Sequence, residues 1–358
     1  MNIDDLRAQI DDIDNNVQEL ISNRAKLAIL IAQLKKTSDN PTNDDYYRPE
    51  REAKILTKAI ERNEGPLSDQ VIRHIFREIM SACLALENKT KVAYLGPVGT
   101  YTQSAVEKHF GSFIEAVPFL TISDVFREVE LGDSPYGVVP VENSSQGVVN
   151  LTLDELINSS LKICGEIDLP IHHNLMSQCS SITQIKRVYA HQQSLLQCNR
   201  WLDINLVSAL QIPVSSNAEA AKMAKNARDS AAIASKAAAF VYGHNILAKR
   251  IENEARNTTR FLVIGKQKVE PSGNDKTSLI LTTNNKPGSL FSMLKPFSDN
   301  SISLTKIESR PSRKTNWDYL FFIDIIGHQQ DPIIQKVLQQ LDDNNQLISI
   351  LGSYPKAI

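Results

Sequence analysis

The 358-residue sequence lacks several features that would indicate a specialised environment. Its formal net charge is only −2, from 39 basic and 41 acidic residues, so no broad field for nucleic acid or an anionic membrane is expected. The four cysteines form no CxxC pair, which favours reduced thiols over disulfides or a metal site. No apolar run reaches membrane-spanning length, and the acidic N-terminus is unlike a secretion signal. We therefore expect a cytoplasmic protein with no metal ion and no membrane or nucleic-acid partner.

Three domains are predicted, because a chain of this length exceeds what one hydrophobic core usually supports and its pattern changes twice. Residues 1–90 contain helical patterns only, whereas residues 91–268 alternate short apolar strands with helices, which indicates an α/β fold. A polar linker covers Lys266 to Lys276. Residues 277–355 then follow the order strand, helix, strand, strand, helix, strand, which is the ferredoxin-like α+β arrangement.

The N-terminal unit begins with one long helix that is predicted to run to about Lys36. Apolar residues recur there at three- and four-residue steps, which is typical of a coiled-coil-like seam. A loop over Thr37 to Asp45 follows, and then two helices over Pro49 to Arg62 and Leu67 to Glu87. Because three such helices are too elongated to cover the seam, we expect helix exchange with a second copy of the chain.

Three basic residues of the first helix are candidates for binding an anion. Arg24 and Lys35 are eleven residues apart, which places them about 20° apart around the helix and roughly 16 Å apart along it, so both could reach one small anion. Arg7 lies roughly 25 Å from Arg24 along the axis, on a face turned by about 100°, and could join that ligand only from a second chain. The alternative interpretation is that all three are solvated surface charges.

The helical unit resembles the all-helical chorismate mutases over residues 1 to about 88. The resemblance is carried by Leu6-Arg7, Arg24 with its apolar flanks, Lys35, the run YRPERE (Tyr47 to Glu52) and the closing helix from Cys83 to Glu87. It implies that Arg7 of a second copy, Arg24 and Arg51 or its neighbours hold the two carboxylates of chorismate, and that Arg48 and Cys83 also bind the substrate. It also implies that Lys35 and Glu87 flank the ether oxygen and that Glu52 binds the hydroxyl. Rearrangement to prephenate needs no cofactor, only a compact conformation and donors on the oxygen that gains charge.

Glu87 stands where some mutases carry glutamine. An ionised glutamate cannot donate a hydrogen bond to an ether oxygen, and an unperturbed glutamate has a pKa of about 4.3. Our hypothesis is that Glu87 acts in its protonated form because its site raises its pKa.

Four short runs of the α/β unit place glycine, serine, threonine or asparagine next to a predicted strand. They are YLGPVGTYTQ (94–103), VVPVENSSQG (138–147), YAHQQSLLQC (189–198) and TTRF (258–261). Backbone donors and hydroxyls in such turns can surround an anion. Taken singly, each run could equally hold a structural histidine or helix caps.

Together and in this order, the four runs closely resemble prephenate dehydratase over about residues 91–268. The resemblance implies two α/β lobes of the periplasmic-binding type with the site in the cleft between them. It assigns Thr259 a catalytic role, in which the threonine hydroxyl donates a hydrogen bond to the ring hydroxyl of the substrate. That ring hydroxyl departs in the same step in which carbon dioxide is lost. The remaining residues that it implies at the substrate are Glu142, Asn143, Ser144, His191, Gln197, Arg260 and Phe261.

Two runs of the C-terminal unit, KPGSLF (286–291) and ESRP (308–311), are similar to the phenylalanine-binding motifs of ACT domains. Ordinary turn chemistry is the alternative, with Pro287-Gly288 starting a helix and Pro311 ending a strand. The resemblance implies feedback inhibition by phenylalanine. The residues that it implies at this regulatory site are Gly288, Ser289, Leu290, Glu308, Ser309, Arg310 and Pro311.

The leading interpretation is a bifunctional enzyme of phenylalanine biosynthesis, without cofactors, that works as a homodimer or a higher homo-oligomer. A binding module is one alternative, but the TTRF and ENSSQG runs favour an enzyme. A protein that uses its helices only to dimerise is another, although Arg24 and Lys35 on an apolar seam argue against it because burying unpaired charge is costly. An enzyme that has lost one of the two activities is the third.

Overall fold

The computed structural model describes residues 2–37, 47–283, 286–311, 319–344 and 346–357. Apart from Thr37, the predicted loop over Thr37 to Asp45 lies outside the described residues. The chain divides into two compact units, one formed by residues 1–90 with 109–115 and the other by residues 91–108 with 116–358. No helix in the described part of the chain is both long enough and apolar enough to cross a membrane.

The first unit contains the three predicted helices, α1 (Ile3–Thr37), α2 (Pro49–Glu61) and α3 (Asp69–Glu87). Pro49 occupies the first turn of α2, where its missing N–H costs nothing. Helix α3 packs against both α1 and α2. Even so, most of the apolar seam of α1 is exposed, with Leu20 at 69% and Leu34 at 71% of their full accessibility. An apolar stripe of this length requires a cover that the three helices of one chain do not provide.

The second unit begins with two α/β lobes, whose elements follow one another along the chain from residue 91 to residue 265. They are β1 (Lys91–Leu95), α4 (Tyr101–Phe110), β2 (Glu115–Phe119), α5 (Ile122–Leu131), β3 (Tyr136–Asn143), β4 (Gly147–Val148), α6 (Asn150–Asn158), β5 (Lys162–Pro170), β6 (Asn174–Ser177), a 3₁₀ turn (Ile182–Gln184), β7 (Arg187–His191), α7 (Gln192–Gln197), α8 (Asn199–Asn205), β8 (Leu210–Val214), α9 (Asn217–Lys225), β9 (Ser230–Ala234), α10 (Lys236–Tyr242), β10 (Asn245–Ala248) and β11 (Thr258–Gly265).

Each lobe is built on its own mixed sheet. The first has the order β2-β1-β3-β11-β5, with β4 paired to β3, and the second has the order β10-β6-β9-β7-β8. The chain enters the second lobe through residues 171–173 and returns through residues 249–257. These two linkers are joined by backbone hydrogen bonds, from Ile171 N to Asn257 O (2.8 Å) and from Ile251 N to His173 O (2.9 Å). Two lobes on a double linker form a cleft at the linker.

The C-terminal part of the second unit has the predicted βαββαβ order. Its elements are β12 (Asp275–Thr283), α11 (Ser289–Asp299), β13 (Leu304–Pro311), β14 (Tyr319–Ile326), α12 (Pro332–Asp343) and β15 (Leu347–Pro355). The strands form an antiparallel sheet in the order β13-β14-β12-β15. Apolar side chains of the two helices, including Phe297 and Val337, pack on Leu279 and Ile323 of this sheet.

The predicted all-α, two-lobed α/β and ferredoxin-like α+β classes are confirmed, but the α/β unit has more strands than the sequence indicated. The additional strands are β2, β4, β5, β6, β8 and β10. Their composition explains why they were missed, since β2 contains Pro118 and β5 contains Gly165 and the buried Glu166. Polar or structure-breaking residues interrupt the apolar run by which a buried strand is recognised.

Candidate active sites

The helical unit brings Arg24, Lys35 and Glu87 into one electrostatic environment. Glu87 is the last residue of α3, it is half-buried, and its Oε2 atom is buried without a hydrogen-bond partner. Burial raises the pKa of Glu87 above its usual value, while the charges of Lys35 and Arg24 oppose this effect. A buried carboxyl oxygen without a hydrogen-bond partner is typical of a group that binds a ligand.

Glu52, on α2, is the second carboxyl of this site. Burial raises its pKa to about 7, although Arg77 and Arg24 act in the opposite direction, and Glu50 adds to the rise. Arg24 therefore interacts with both Glu52 and Glu87. Arg77 was not predicted as a site residue. The available signal was its position in α3, four residues after Arg73, because two arginines at this spacing share one face of a helix.

The other predicted residues of this unit lie at different positions. Arg7 is exposed, with 73% of its side chain accessible, and its closest acidic partner is Asp4 at 3.5 Å. Arg48 precedes the first residue of α2, Arg51 is exposed, and Cys83 is buried. The helix geometry that separates Arg7 from Arg24 is present in the structure, since both residues lie on the single helix α1.

A cavity of about 540 Å³ lies between the two lobes of the α/β part of the second unit. The first lobe contributes Asn143, Thr259 and Phe261, and the second contributes His191 and Gln197. Residues from the linkers also reach it, among them Ile171, His173 and Asn257. Five of the predicted site residues are therefore brought together, in a volume suited to a small organic ligand.

Thr259 and Asn143 are neighbours on adjacent strands at the base of this cavity. They are register partners of β11 and β3, and Asn143 Nδ2 donates to Thr259 Oγ1 at 2.8 Å. The same amide nitrogen donates to Asn257 Oδ1, also at 2.8 Å. Because the threonine oxygen accepts from Asn143, its own O–H remains available to donate toward the cavity.

His173 was not predicted as a site residue, although it lines the cavity. Its Nε2 atom lies 2.8 Å from Gln197 Oε1, and its Nδ1 atom lies 3.1 Å from the hydroxyl of Tyr101. Burial lowers the pKa of His173, which favours the neutral ring, and in that form the acceptor Gln197 Oε1 places the proton on Nε2. Gln197 Nε2 in turn donates to Ser145 Oγ at 2.9 Å, which ties the second lobe to the first. The sequence signal was the adjacent pair His172-His173, but no spacing marked it as a site.

Two helices begin at the cavity wall. The first residue of α4, Tyr101, lines the cavity, as do Ser216 and Asn217 at the start of α9. No lysine or arginine is among the lining residues in the described part of the chain. Helix N-termini carry partial positive charge and unpaired N–H groups, so they are the groups here that would favour an anion.

Arg260, Glu142 and Ser144 were predicted at the substrate, but they are not among the described residues that line the cavity. Arg260 contacts Glu166 and Asp324, and Glu142 contacts Lys306. Ser144 caps the start of β11 by accepting a hydrogen bond from Thr258 N at 3.0 Å. The physical reason is the two-residue period of a strand, which directs neighbouring side chains to opposite faces. With Thr259 and Phe261 in the cavity, Arg260 points to the other side of the sheet.

The predicted regulatory residues lie at the start of α11 and along β13. Gly288 precedes α11 with a φ of +84°, a conformation that strongly favours glycine, and Leu290 in the first turn is exposed. Glu308 and Arg310 lie on the half-buried face of β13, whereas Ser309 and Pro311 are exposed. Arg310 Nη1 contacts Asp154 Oδ1 of α6 at 2.6 Å.

None of the four cysteines, Cys83, Cys164, Cys179 and Cys198, forms a disulfide in the described structure.

Three families match successive parts of the chain. Chorismate mutase type II matches residues 6–88, prephenate dehydratase matches residues 92–269, and the ACT domain matches residues 277–343. The bifunctional chorismate mutase/prephenate dehydratase of Stutzerimonas stutzeri is 49% identical over 356 residues, which cover 99% of this chain and 97% of that protein. The protein of the same name from Pseudomonas aeruginosa is 48% identical over 355 residues, with the same coverage. The crystal structure of prephenate dehydratase from Arthrobacter aurescens in complex with L-Phe is similar with a TM-score of 0.69 and 30% identity, over 75% of this chain and 90% of that one.

A helical domain with a cluster of arginine, lysine and carboxyl groups, a two-lobed domain with a polar cleft and an ACT domain together define a multidomain enzyme with a regulatory module. The chain belongs to the bifunctional chorismate mutase/prephenate dehydratase family.

Proposed function

We propose that the helical unit rearranges chorismate to prephenate, that the inter-lobe cavity converts prephenate to phenylpyruvate, and that phenylalanine inhibits the enzyme through the ACT domain. One observation carries the dehydratase assignment. The Thr259 hydroxyl, oriented by Asn143, faces a cavity that both lobes line. Family membership supports both activities and the feedback role.

In the dehydratase step, the ring carboxylate of prephenate leaves as carbon dioxide, and its electron pair moves into the ring and expels the ring hydroxyl. Thr259 donates a hydrogen bond to that hydroxyl as negative charge develops on its oxygen. A threonine hydroxyl is a poor acid, so its contribution is positioning and charge stabilisation, assisted by the formation of an aromatic ring. The starts of α4 and α9 hold the carboxylates, because the described lining offers no basic side chain.

In the mutase step, Arg24 and its neighbours fold chorismate into a compact conformation by holding its carboxylates. Lys35 and protonated Glu87 donate to the ether oxygen, which gains negative charge as its bond to carbon breaks. The raised pKa of Glu87 supports the protonated form. Glu52 binds the substrate hydroxyl.

A second copy of the chain supplies Arg7 to this site and covers the exposed seam of α1. Intersubunit complementation tests this arrangement. We expect Arg7→Ala and Arg24→Ala each to abolish mutase activity, and refolding them together at equal concentration to restore about a quarter of it, since half of the dimers are mixed and each has one intact site. If the mixture stays inactive while an affinity tag on one variant co-purifies the other, which shows that mixed dimers form, Arg7 acts within its own chain or not at all.

A direct assay tests the two activities. Purified protein incubated with chorismate should form prephenate and then phenylpyruvate. Thr259→Val, which keeps the shape of the side chain but removes its hydroxyl, should accumulate prephenate with a dehydratase rate lowered by about 10²- to 10⁴-fold. Thr258→Val, one position earlier on the same strand, is the matched control. A Thr259→Val enzyme that forms phenylpyruvate at the wild-type rate would contradict the assignment.

The cellular compartment that we propose is the cytoplasm, and the lack of a disulfide among the four cysteines, all of which the structure describes, supports it.

A further inference from the structure

Strands β3 and β11 present their side chains to two different surfaces. Thr259 and Asn143 face the cavity, whereas the adjacent residues Arg260 and Glu142, which are also register partners, contact the C-terminal domain. The same two strands therefore form the base of the dehydratase site and, one residue away, an interface with the regulatory domain. A displacement of either strand changes both surfaces, because the backbone between neighbouring residues is shared.

Arg260 is the centre of a largely buried ion-pair network across this interface. Its guanidinium contacts Glu166 at 2.8 Å, Asp324 at 2.6 Å and the hydroxyl of Tyr354 at 3.0 Å. Lys276 contacts Glu166 at 2.9 Å. The side chains of Arg260 and Glu166 are only 13% and 1% accessible. Two cations and two anions therefore neutralise one another in a largely buried position. One of each comes from the two-lobed α/β part (residues 91–265, the cleft domain) and one of each from the C-terminal sheet. Separating any of these charges from its partner is costly.

A second line of ion pairs extends from β13. Lys306 Nζ lies 2.8 Å from Glu142 Oε2, and Arg310 Nη1 lies 2.6 Å from Asp154 Oδ1. Along β13 the half-buried and exposed positions alternate, so Lys306, Glu308 and Arg310 lie on the same face. Glu308, a predicted phenylalanine ligand, therefore lies between two residues that are each bound to the cleft domain.

From this arrangement we propose that the Lys306–Glu142 ion pair transmits phenylalanine binding to the dehydratase site, with Glu142 and Arg260 as positioning residues rather than substrate ligands. The proposal rests on the ACT domain being the phenylalanine site, as stated under the proposed function. Phenylalanine at Glu308 displaces β13, Lys306 moves Glu142, and the adjacent Asn143 then loses the geometry in which it orients the Thr259 hydroxyl. The network around Arg260 holds the sheet of the first lobe against the C-terminal sheet. A displacement of the C-terminal sheet therefore moves β3 and β11 instead of sliding past them.

Lys306→Met tests the proposal, because methionine keeps the length of the side chain and removes its charge. Lys295→Met is the matched control, since Lys295 of the same domain pairs with Asp299 on the exposed side of α11. Dehydratase activity is measured on the full-length chain with prephenate as phenylalanine is titrated, and phenylalanine binding is measured separately by calorimetry. Lys306→Arg, which retains the charge, serves as the conservative variant.

We expect Lys306→Met to bind phenylalanine and to turn over prephenate without it at a rate close to wild type, while inhibition at saturating phenylalanine weakens at least about fivefold. Lys306→Arg and Lys295→Met should be inhibited like the wild type. The proposal is overturned if Lys306→Met is inhibited as strongly as the wild type, or if it no longer binds phenylalanine, since Lys306 would then be a ligand of the effector. If the wild type itself neither binds phenylalanine nor responds to it, the regulatory assignment fails, and this proposal fails with it.

Discussion

Replacing Glu87 with glutamine should remove a pH dependence from the mutase reaction. The ordinary pKa of this carboxyl is 4.5, and burial raises it, while Lys35 and Arg24 act against the rise. At pH 7.5 a carboxyl with the ordinary value is protonated in about one molecule in a thousand, and selecting that form costs about 4 kcal/mol. Each unit by which the protein raises this pKa increases the protonated fraction about tenfold. The glutamine amide donates at all pH values and bears no such cost.

The sign of the effect follows from the protonated form being active. Below the raised pKa of Glu87 the wild type has full activity, and above it the rate falls about tenfold for each pH unit. Glu87→Gln lacks this decline, so the ratio of variant to wild-type rate should increase about tenfold per unit above that pKa. Titration of Glu52, whose pKa is raised to about 7, occurs in both proteins and largely cancels in the ratio.

The measurement is the initial rate of chorismate consumption at saturating chorismate, followed from pH 5 to pH 9. Glu61→Gln is the control, because Glu61 is an exposed glutamate at the end of α2. Parallel profiles for the wild type and Glu87→Gln would refute the reasoning, because they would show that the ionisation of Glu87 is irrelevant to the mutase rate.

Two further predictions concern other carboxyl groups. Glu52 has a folded-state pKa raised from 4.5 to about 7, so the stability that its protonated form contributes is complete below pH 4.5 and is lost as the pH rises through about 7. Between pH 5.5 and pH 8.5, the melting temperature of Glu52→Gln should therefore fall by less than that of the wild type, as followed by circular dichroism. An equal decrease in both proteins would contradict the raised pKa. Glu308→Ala should weaken inhibition by phenylalanine about 10- to 100-fold, the effect of removing one charged hydrogen-bond partner, and unchanged inhibition would exclude Glu308 as a ligand.

The sequence predicted the elements whose pattern is local. Helix α1 and the βαββαβ order followed from periodicity, and the bounds differ from those observed by only a few residues. Strands such as β5 were missed because Glu166 interrupts the apolar run, and Glu166 is tolerated there only because Arg260 and Lys276 neutralise it from distant parts of the chain. Because these ion-pair partners are distant in sequence, a short stretch of sequence around Glu166 does not reveal them.

The residues that line the cavity were predicted in part, and two positions differ from expectation for different reasons. Thr259, Asn143, His191 and Gln197 were identified from short runs and do line the cavity. The resemblance to prephenate dehydratase placed Arg260 at the substrate together with Thr259, although neighbouring side chains in a strand lie on opposite faces. His173 was missed because its role depends on Tyr101 and Gln197, each more than twenty residues away. Alternation along a strand can be read from the sequence and places Arg260 and Thr259 on opposite faces, whereas the position of His173 requires the fold.

The buried pairing of Arg260 with Asp324 has a consequence for anyone who wishes to shorten this protein. A chain cut before residue 275 would lose the regulatory sheet and with it Lys306, the partner of Glu142, as well as Asp324 and Lys276, so that Arg260 and Glu166 would keep only each other. These charges would then lie exposed on the outer surface of the strands that support the cavity. The apolar residues beside them would form an exposed hydrophobic patch, which favours aggregation. We therefore expect the two-lobed α/β domain to be less stable without the regulatory sheet, and an unregulated version is better obtained by uncoupling the interface than by deleting the C-terminal domain.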